Sequence, residues 1–196
     1  MTAPVVGVLA LQGDVREHVA VLYALGAEVV LVRRPADLAL VRGLVLPGGE
    51  SSVIDKLSRT FGLDGPIRAA VRAGMPMYGT CAGLILLADR ITGGIEGQRT
   101  FGGLDVTVAR NAFGAQVDSF ETLLEVDGAE APVSATFIRA PLVTDVGARA
   151  RPVAALPDGR VVAVAQGTLL GTSFHPEMNG ETWFHRRFLD QVRAAA

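Results

Sequence analysis

The chain has 196 residues, 18 basic against 20 acidic side chains and a formal charge of -2. That length suits one domain spanning residues 1–196, large enough to fold on its core without disulfides or structural metal. The near balance of charge excludes the broad positive field of a protein that grips nucleic acid or anionic lipid, so a small substrate or a protein partner is expected. The uncharged run Ala73 to Ala88 is interrupted by Gly74, Pro76, Gly79 and Gly83 and is too short for a membrane helix. The start MTAPVVGVLALQGD carries no basic leader, and the single cysteine, Cys81, cannot close an internal disulfide. A cytoplasmic protein is therefore expected.

Pro4 to Leu11 is a short apolar run that reads as a strand, and past Gly13 the positions Val15, Val19, Leu22 and Leu25 recur at helical spacing. Glu28 to Val32 and Leu44 to Leu46 read as the next two strands, the second running into the turn Pro47, Gly48, Gly49. Ser51 is placed to cap a helix carrying Ile54 and Leu57, a second helical stretch covers about Pro66 to Ala73, and Met75 to Tyr78 returns as a strand. A further helix is expected just past Cys81. From Gly103 to Gln166 the pattern shifts to closely spaced β-like runs: Leu104 to Val108, Phe120 to Val126, Val133 to Ile138 and Val161 to Val164. Leu169 to Phe174 is another apolar run, and Glu181 to Val192 reads as a helix with an apolar stripe of Trp183, Phe184, Phe188 and Leu189. Gly93, Gly94 and Gly97 read as a surface turn rather than a phosphate loop. The fold class expected is α/β: three layers, with a largely parallel central sheet flanked by helices and added mixed or antiparallel strands.

Gly79-Thr80-Cys81-Ala82-Gly83 places the cysteine between small residues where a strand meets a helix, the setting of a nucleophile elbow. Free cysteine is also common as core packing, and alone the motif leaves both readings open. His175-Pro176-Glu177 follows an apolar run. Side chains two apart in an extended segment point the same way, so Glu177 could hold the tautomer of His175 while the imidazole takes the thiol proton. Such residues also occur simply as surface turns. His18 and His185 fall in predicted helices, where solvent-facing or helix-packing roles are expected. No histidine, cysteine or carboxylate spacing suggests a metal site, and no cofactor is expected. Pro47-Gly48-Gly49-Glu50-Ser51 could offer backbone N–H groups to a carboxylate or oxyanion, or be an ordinary turn. Arg110 and Arg139 could recognise a substrate carboxylate or stay in solvent or surface ion pairs.

Together these segments resemble, nearly end to end, the glutaminase subunits of pyridoxal 5'-phosphate synthase, within the class I, triad-type glutamine amidotransferases. PGGES at Pro47 to Ser51, GTCAG at Gly79 to Gly83 and HPE at His175 to Glu177 carry the general resemblance. ALQGDVREH at Ala10 to His18, RNAFGAQVDSFE at Arg110 to Glu121 and FIRAP at Phe137 to Pro141 point to this subfamily. The resemblance implies Cys81 as the nucleophile toward L-glutamine, His175 as acid and base, and Glu177 as its orienting partner. It implies Gly49 and Ala82 as oxyanion donors, and Gly48, Gly49, Glu50, Arg110, Ile138 and Arg139 as glutamine contacts. It further implies a hetero-oligomer with a (β/α)8 synthase subunit that receives the ammonia, docked partly through Gln12 to His18, with Gln12 near the oxyanion site. The alternatives are a related amidotransferase serving a different synthase, and a regulatory subunit in which Cys81 is buried packing.

Overall fold

The computed structural model describes residues 3–110 and 119–195. Chain order begins with β1 (Val5–Leu9), α1 (Val15–Ala24), β2 (Glu28–Val32), the single turn α2 (Pro35–Leu38) and β3 (Leu44–Leu46). It continues through α3 (Ser51–Thr60), α4 (Asp64–Arg72), β4 (Met77–Thr80), α5 (Ala82–Leu87) and β5 (Ala88–Thr92). The second half holds β6 (Leu104–Ala109), β7 (Phe120–Leu124), β8 (Val133–Phe137), β9 (Leu142–Val146), β10 (Arg151–Ala155), β11 (Val161–Gln166) and β12 (Leu169–Thr172). A 3-10 turn at Pro176–Met178 precedes α6 (Trp183–Ala194).

The main sheet runs β2-β1-β3-β4-β12-β11-β9-β6-β5, with β10 attached to β11, while β7 and β8 form a separate hairpin. From β2 to β12 every pairing is parallel. At β12 the sheet changes character, because β11 lies antiparallel to it and β9 and β6 continue the antiparallel pattern. The expected parallel sheet with antiparallel additions is therefore found, with β12 as the seam. Inside the edge strand β2, the strands of the parallel half bury both faces. Leu44 and Leu46 of β3 join the core on one side and Val45 the core on the other, and in β4 Met77 and Tyr78 divide in the same way. This alternation explains why the strands read as unbroken apolar runs. Leu22 of α1 and Phe184, Phe188 and Leu189 of α6 fill one core, beside Leu124, Val133 and Phe137 of the hairpin. Ile54 of α3, Ile67 of α4 and Leu84 and Leu86 of α5 fill the other.

Several boundaries differ from the sequence expectation. The cap of α3 is Glu50 rather than Ser51: the Glu50 carboxylate accepts from the Ser52 amide at 3.4 Å and the Ser52 hydroxyl at 2.9 Å, and Ser51 is the first helical residue. The run to Val126 ends as a strand at Leu124, with Val126 forming an isolated bridge to Ala154. The elements α2, β5, β9 and β10 have no counterpart among the sequence-predicted runs. Gly93, Gly94 and Gly97 do lie in an exposed turn. No helix among the described residues is long and apolar enough to cross a membrane. Phe188 is fully buried and packs near Tyr78, with ring centroids 6.4 Å apart. Phe188→Ala should lower unfolding free energy by about 3–5 kcal/mol, measured by urea denaturation; a loss below about 1 kcal/mol would show that α6 does not seal this core.

Candidate active site

The strand β4 leads directly into α5, and Cys81 stands at the junction with φ 47° and ψ -100°. An L-residue with positive φ is strained and persists only where its surroundings hold it. Those surroundings are visible. The Cys81 amide donates to the Thr172 carbonyl of β12 at 2.8 Å, and the Cys81 carbonyl accepts from the Ile85 amide at 3.2 Å. A Cβ at Gly79 would overlap the Gly83 backbone, and one at Gly83 would overlap the Leu46 carbonyl, so both flanking glycines are demanded by close backbone approach. Cys81 is buried and Ala82 opens α5, where a first-turn amide has no acceptor within the helix.

His175 reaches the same end of the sheet because β12 pairs in parallel with β4, placing Thr172 opposite Thr80. Past Thr172 the chain stays pinned, with the Ser173 amide donating to Val162 and the His175 amide to Thr136, at 2.8 Å and 2.9 Å. His175 Nδ1 lies 2.9 Å from Glu177 Oε1 and 3.3 Å from Asp14 Oδ2. The pair expected from extended geometry is thus present by a different route: Glu177 sits in the 3-10 turn and folds back on the ring. With Nδ1 occupied by carboxylates it carries the proton, and Nε2 is left for the Cys81 thiol, which is also a hydrogen-bond partner of this imidazole. Burial disfavours the charged ring, but hydrogen bonds with Asp14, Cys81 and Glu177 outweigh it and raise the His175 pKa to about 12. Burial pushes the Glu177 carboxyl up, opposed by its hydrogen bond with His175. Asp14, His175 and Glu177 present donor atoms within 4.8 Å of one another, a grouping that could hold a cation and that linear spacing did not disclose.

The glycine turn after β3 packs backbone to backbone against the turn before α1. The Asp14 amide donates to the Gly48 carbonyl at 3.1 Å, and a Cβ at Gly48 would strike His175 and Asp14. Gly49 has φ 145°, and a Cβ there would come within 2.6 Å of Gln12 Oε1. Gln12 Oε1 accepts from the Glu50 amide at 2.8 Å, which places Gln12 beside the Gly49 peptide. Arg110 donates to Glu50 Oε1 at 2.6 Å and to Gln98 Oε1 at 2.7 Å, and Gln98 Nε2 donates to Ser51 Oγ at 3.0 Å. Ile138 is half-buried and Arg139 is exposed with φ 45°, just past β8, whose Thr136 anchors His175. The motif beginning at Arg110 continues through residues 111–118, which lie outside the described residues.

His18 follows the helix-packing expectation rather than the solvent-facing one, since it is fully buried on α1. Its Nε2 lies 3.0 Å from Thr80 Oγ1 and 3.4 Å from Glu177 Oε1, and its Nδ1 lies 2.9 Å from His185 Nε2. Burial, then the neighbouring His185 and His175, hold its pKa well below the usual histidine range, and burial lowers His185 to about 4. Asp14, His18 and Gln98 are site neighbours that sequence reasoning did not single out. Asp14 and His18 were at least inside a motif, whereas Gln98 carried no signal beyond its place after the Gly93 to Gly97 turn.

An elbow cysteine facing an imidazole and carboxylate, where the central strands β4 and β12 end in this three-layer fold, defines a class I, triad-type glutamine amidotransferase. The chain belongs to the SNO glutamine amidotransferase family, whose model matches residues 8–194. It is similar to the pyridoxal 5'-phosphate synthase subunit PdxT of Leifsonia xyli subsp. xyli, 64% identical over 192 residues that cover 97% of this chain and 96% of that protein. The protein of the same name from Streptomyces coelicolor is 58% identical over 192 residues, covering 97% of this chain and 95% of that one. A crystal structure of glutamine amidotransferase superposes with TM-score 0.90 at 44% identity, covering 96% of this chain and 98% of that one. A putative GMP synthase component from Thermoplasma acidophilum shares the fold alone, with TM-score 0.70 at 16% identity, covering 99% of this chain and 96% of that one.

The buried neutral histidines give stability a pH dependence of known sign. Unfolded His185 binds a proton near the ordinary histidine value of 6.5 and folded His185 only near about 4. Its contribution is therefore complete above about pH 6.5 and falls by roughly 3 kcal/mol as pH drops to about 4. His185→Gln should lose stability less steeply than the parent across that window; parallel acid-unfolding curves would contradict burial as the cause.

Proposed function

We propose that the protein, working as one domain over residues 1–196 in the cytoplasm, hydrolyses L-glutamine to L-glutamate and ammonia. The ammonia passes to a (β/α)8 synthase subunit that makes pyridoxal 5'-phosphate. The observation that carries this reading is the imidazole of His175, held between the Cys81 thiol and the Glu177 carboxylate at the nucleophile elbow. Family membership and the name of the similar PdxT proteins support the pathway.

Cys81 Sγ, its proton already held by His175, attacks the side-chain amide carbon and gives a tetrahedral oxyanion beside the amides of Gly49 and Ala82. The imidazolium returns the proton to the amide nitrogen, the C–N bond breaks and ammonia leaves. A γ-glutamyl thioester then remains on Cys81. Water, deprotonated through His175, attacks that carbonyl, the C–S bond breaks, the sulfur regains its proton and glutamate departs. Gly48, Gly49, Glu50, Ile138 and Arg139 line the glutamine site, with Arg110 providing positive charge for the substrate carboxylate. Before substrate arrives, Glu50 and Gln98 satisfy that guanidinium. Enclosure by the synthase keeps ammonia from protonation in bulk water. Docking uses the exposed side of α1 and its preceding turn; the His18 side chain faces inward and takes no part in that surface.

The test is glutamate release and pyridoxal 5'-phosphate formation in the reconstituted complex. Cys81→Ala should reduce glutamate release to background, and Glu177→Gln should lower kcat about 100-fold, within the range for lost general acid–base support. Full turnover by Cys81→Ala would overturn the mechanism, and glutamate release without product in a verified complex would overturn the pathway. Gln98→Ala removes one acceptor of Arg110 and should raise KM for glutamine about 10-fold with kcat nearly unchanged; an unchanged KM would remove Gln98 from the glutamine site.

A further inference from the structure

We infer that His18 is a positioning residue for the reaction, a neutral imidazole whose Nε2–H is bonded to the Thr80 hydroxyl and lies 3.4 Å from the Glu177 carboxylate, turning the positive end of its N–H dipole toward that charge. This rests on the assignment of Cys81, His175 and Glu177 as the reacting set. The geometry decides the tautomer. Only one proton fits between His18 Nδ1 and His185 Nε2, which are 2.9 Å apart. If His18 held it, His185 would carry its own proton on Nδ1, a buried atom with no hydrogen-bond partner. The bare Nε2 of His18 would then face Glu177 Oε1 at 3.4 Å, lone pair against carboxylate in a dry core. If His185 Nε2–H donates instead, both conflicts disappear. His185 Nδ1 becomes an unprotonated acceptor, cheaper to leave unpaired than an N–H, and His18 Nε2–H is bonded to Thr80 Oγ1 with Glu177 Oε1 3.4 Å from the same nitrogen.

The consequence falls on Glu177. Its side chain is fully buried, its Oε2 has no hydrogen-bond partner among the described residues, and Oε1 already accepts from His175. The titratable groups that bear on it are His175 and Asp14 at the reacting end, His18 from α1 with His185 behind it from α6, and Tyr78 from β4. Among these, His175 is hydrogen-bonded to Oε1 and His18 sets its Nε2 3.4 Å from the same oxygen. That second polar neighbour helps keep the carboxylate ionised where burial favours its neutral form. Through Thr80, the same nitrogen also touches the residue immediately before the nucleophile, so one side chain ties the elbow to the orienting carboxylate.

The experiment compares His18→Leu and His18→Gln in the synthase complex, measuring kcat and KM for glutamine across pH, with 15N spectra of the histidine-labelled parent protein. His18→Leu should lower kcat about tenfold, the size expected when a buried polar partner is removed, with KM within about twofold. Its acid limb should move to higher pH, because losing the N–H dipole beside Oε1 raises the carboxyl pKa. His18→Gln, whose side-chain N–H reaches about as far as Nε2, should recover most of the rate and the parent acid limb. The spectra should show His18 protonated at Nε2. An Nδ1-protonated His18 would overturn the inference even if His18→Leu fails to fold, and so would a folded His18→Leu with parent kcat and acid limb. Cys81→Ala in the same assay separates the two claims: if it abolishes turnover while His18→Leu is silent, only the positioning role falls.

Discussion

The parallel pairing of β12 with β4 is the constraint on which the rest of the site depends. It sets Thr172 beside Thr80 and lets the Thr172 carbonyl receive the Cys81 amide, so the same strand that delivers His175 also holds the strained nucleophile in place. Neither strand could do this at an edge. Both lie in the middle of the sheet, buried on both faces, where loss of the pairing would strand backbone polar groups away from water. Past Thr172 the Ser173 amide still bonds to Val162 of β11 and the His175 amide to Thr136 of β8, so the chain leaves the sheet under restraint on the side where Cys81 emerges.

Close backbone approach is the second demand, and it explains the glycines better than turn propensity does. Gly13 against Gly48, Gly49 against Gln12, and Gly79 and Gly83 against each other and Leu46 stack three loops within contact distance of one another. A side chain at any of them would separate the carboxylate of Asp14 from the ring of His175 or the elbow from β3. The region is rigid through exclusion of volume as much as through hydrogen bonds.

Much of this was legible in the sequence because it is local. The strands Glu28–Val32 and Leu44–Leu46 stand where their apolar runs place them, and the elbow and the His-Pro-Glu motif announce themselves by spacing. What escaped was written in three dimensions. β10 contains Pro152 and alternates poorly, so nothing local marks it as a strand; its place comes from pairing with β11. Glu50 displaces Ser51 as the cap of α3 because its carboxylate reaches the Ser52 amide while also facing Arg110. His18 reads as a polar residue on an amphipathic helix, and only the packing of α1 against α6 reveals that its polar atoms are spent internally on His185, Thr80 and Glu177.

The proposed cycle draws on a tension in the resting site. An imidazole raised to about 12 holds its proton too firmly to be a good acid toward a leaving amine at neutral pH. Two of the groups that raise it, Asp14 and Glu177, persist through the reaction, but the third is the Cys81 sulfur itself. Once that sulfur is bonded to the γ-carbonyl carbon it no longer offers the charge and hydrogen bond that favour the imidazolium. The proton on His175 then becomes easier to give up, at the stage when the departing nitrogen needs it. The same cycle assigns different places to the two carboxylates: fully buried Glu177 lies 2.9 Å from the ring nitrogen, while the more exposed Asp14, carried on the turn before α1, reaches the same nitrogen at 3.3 Å.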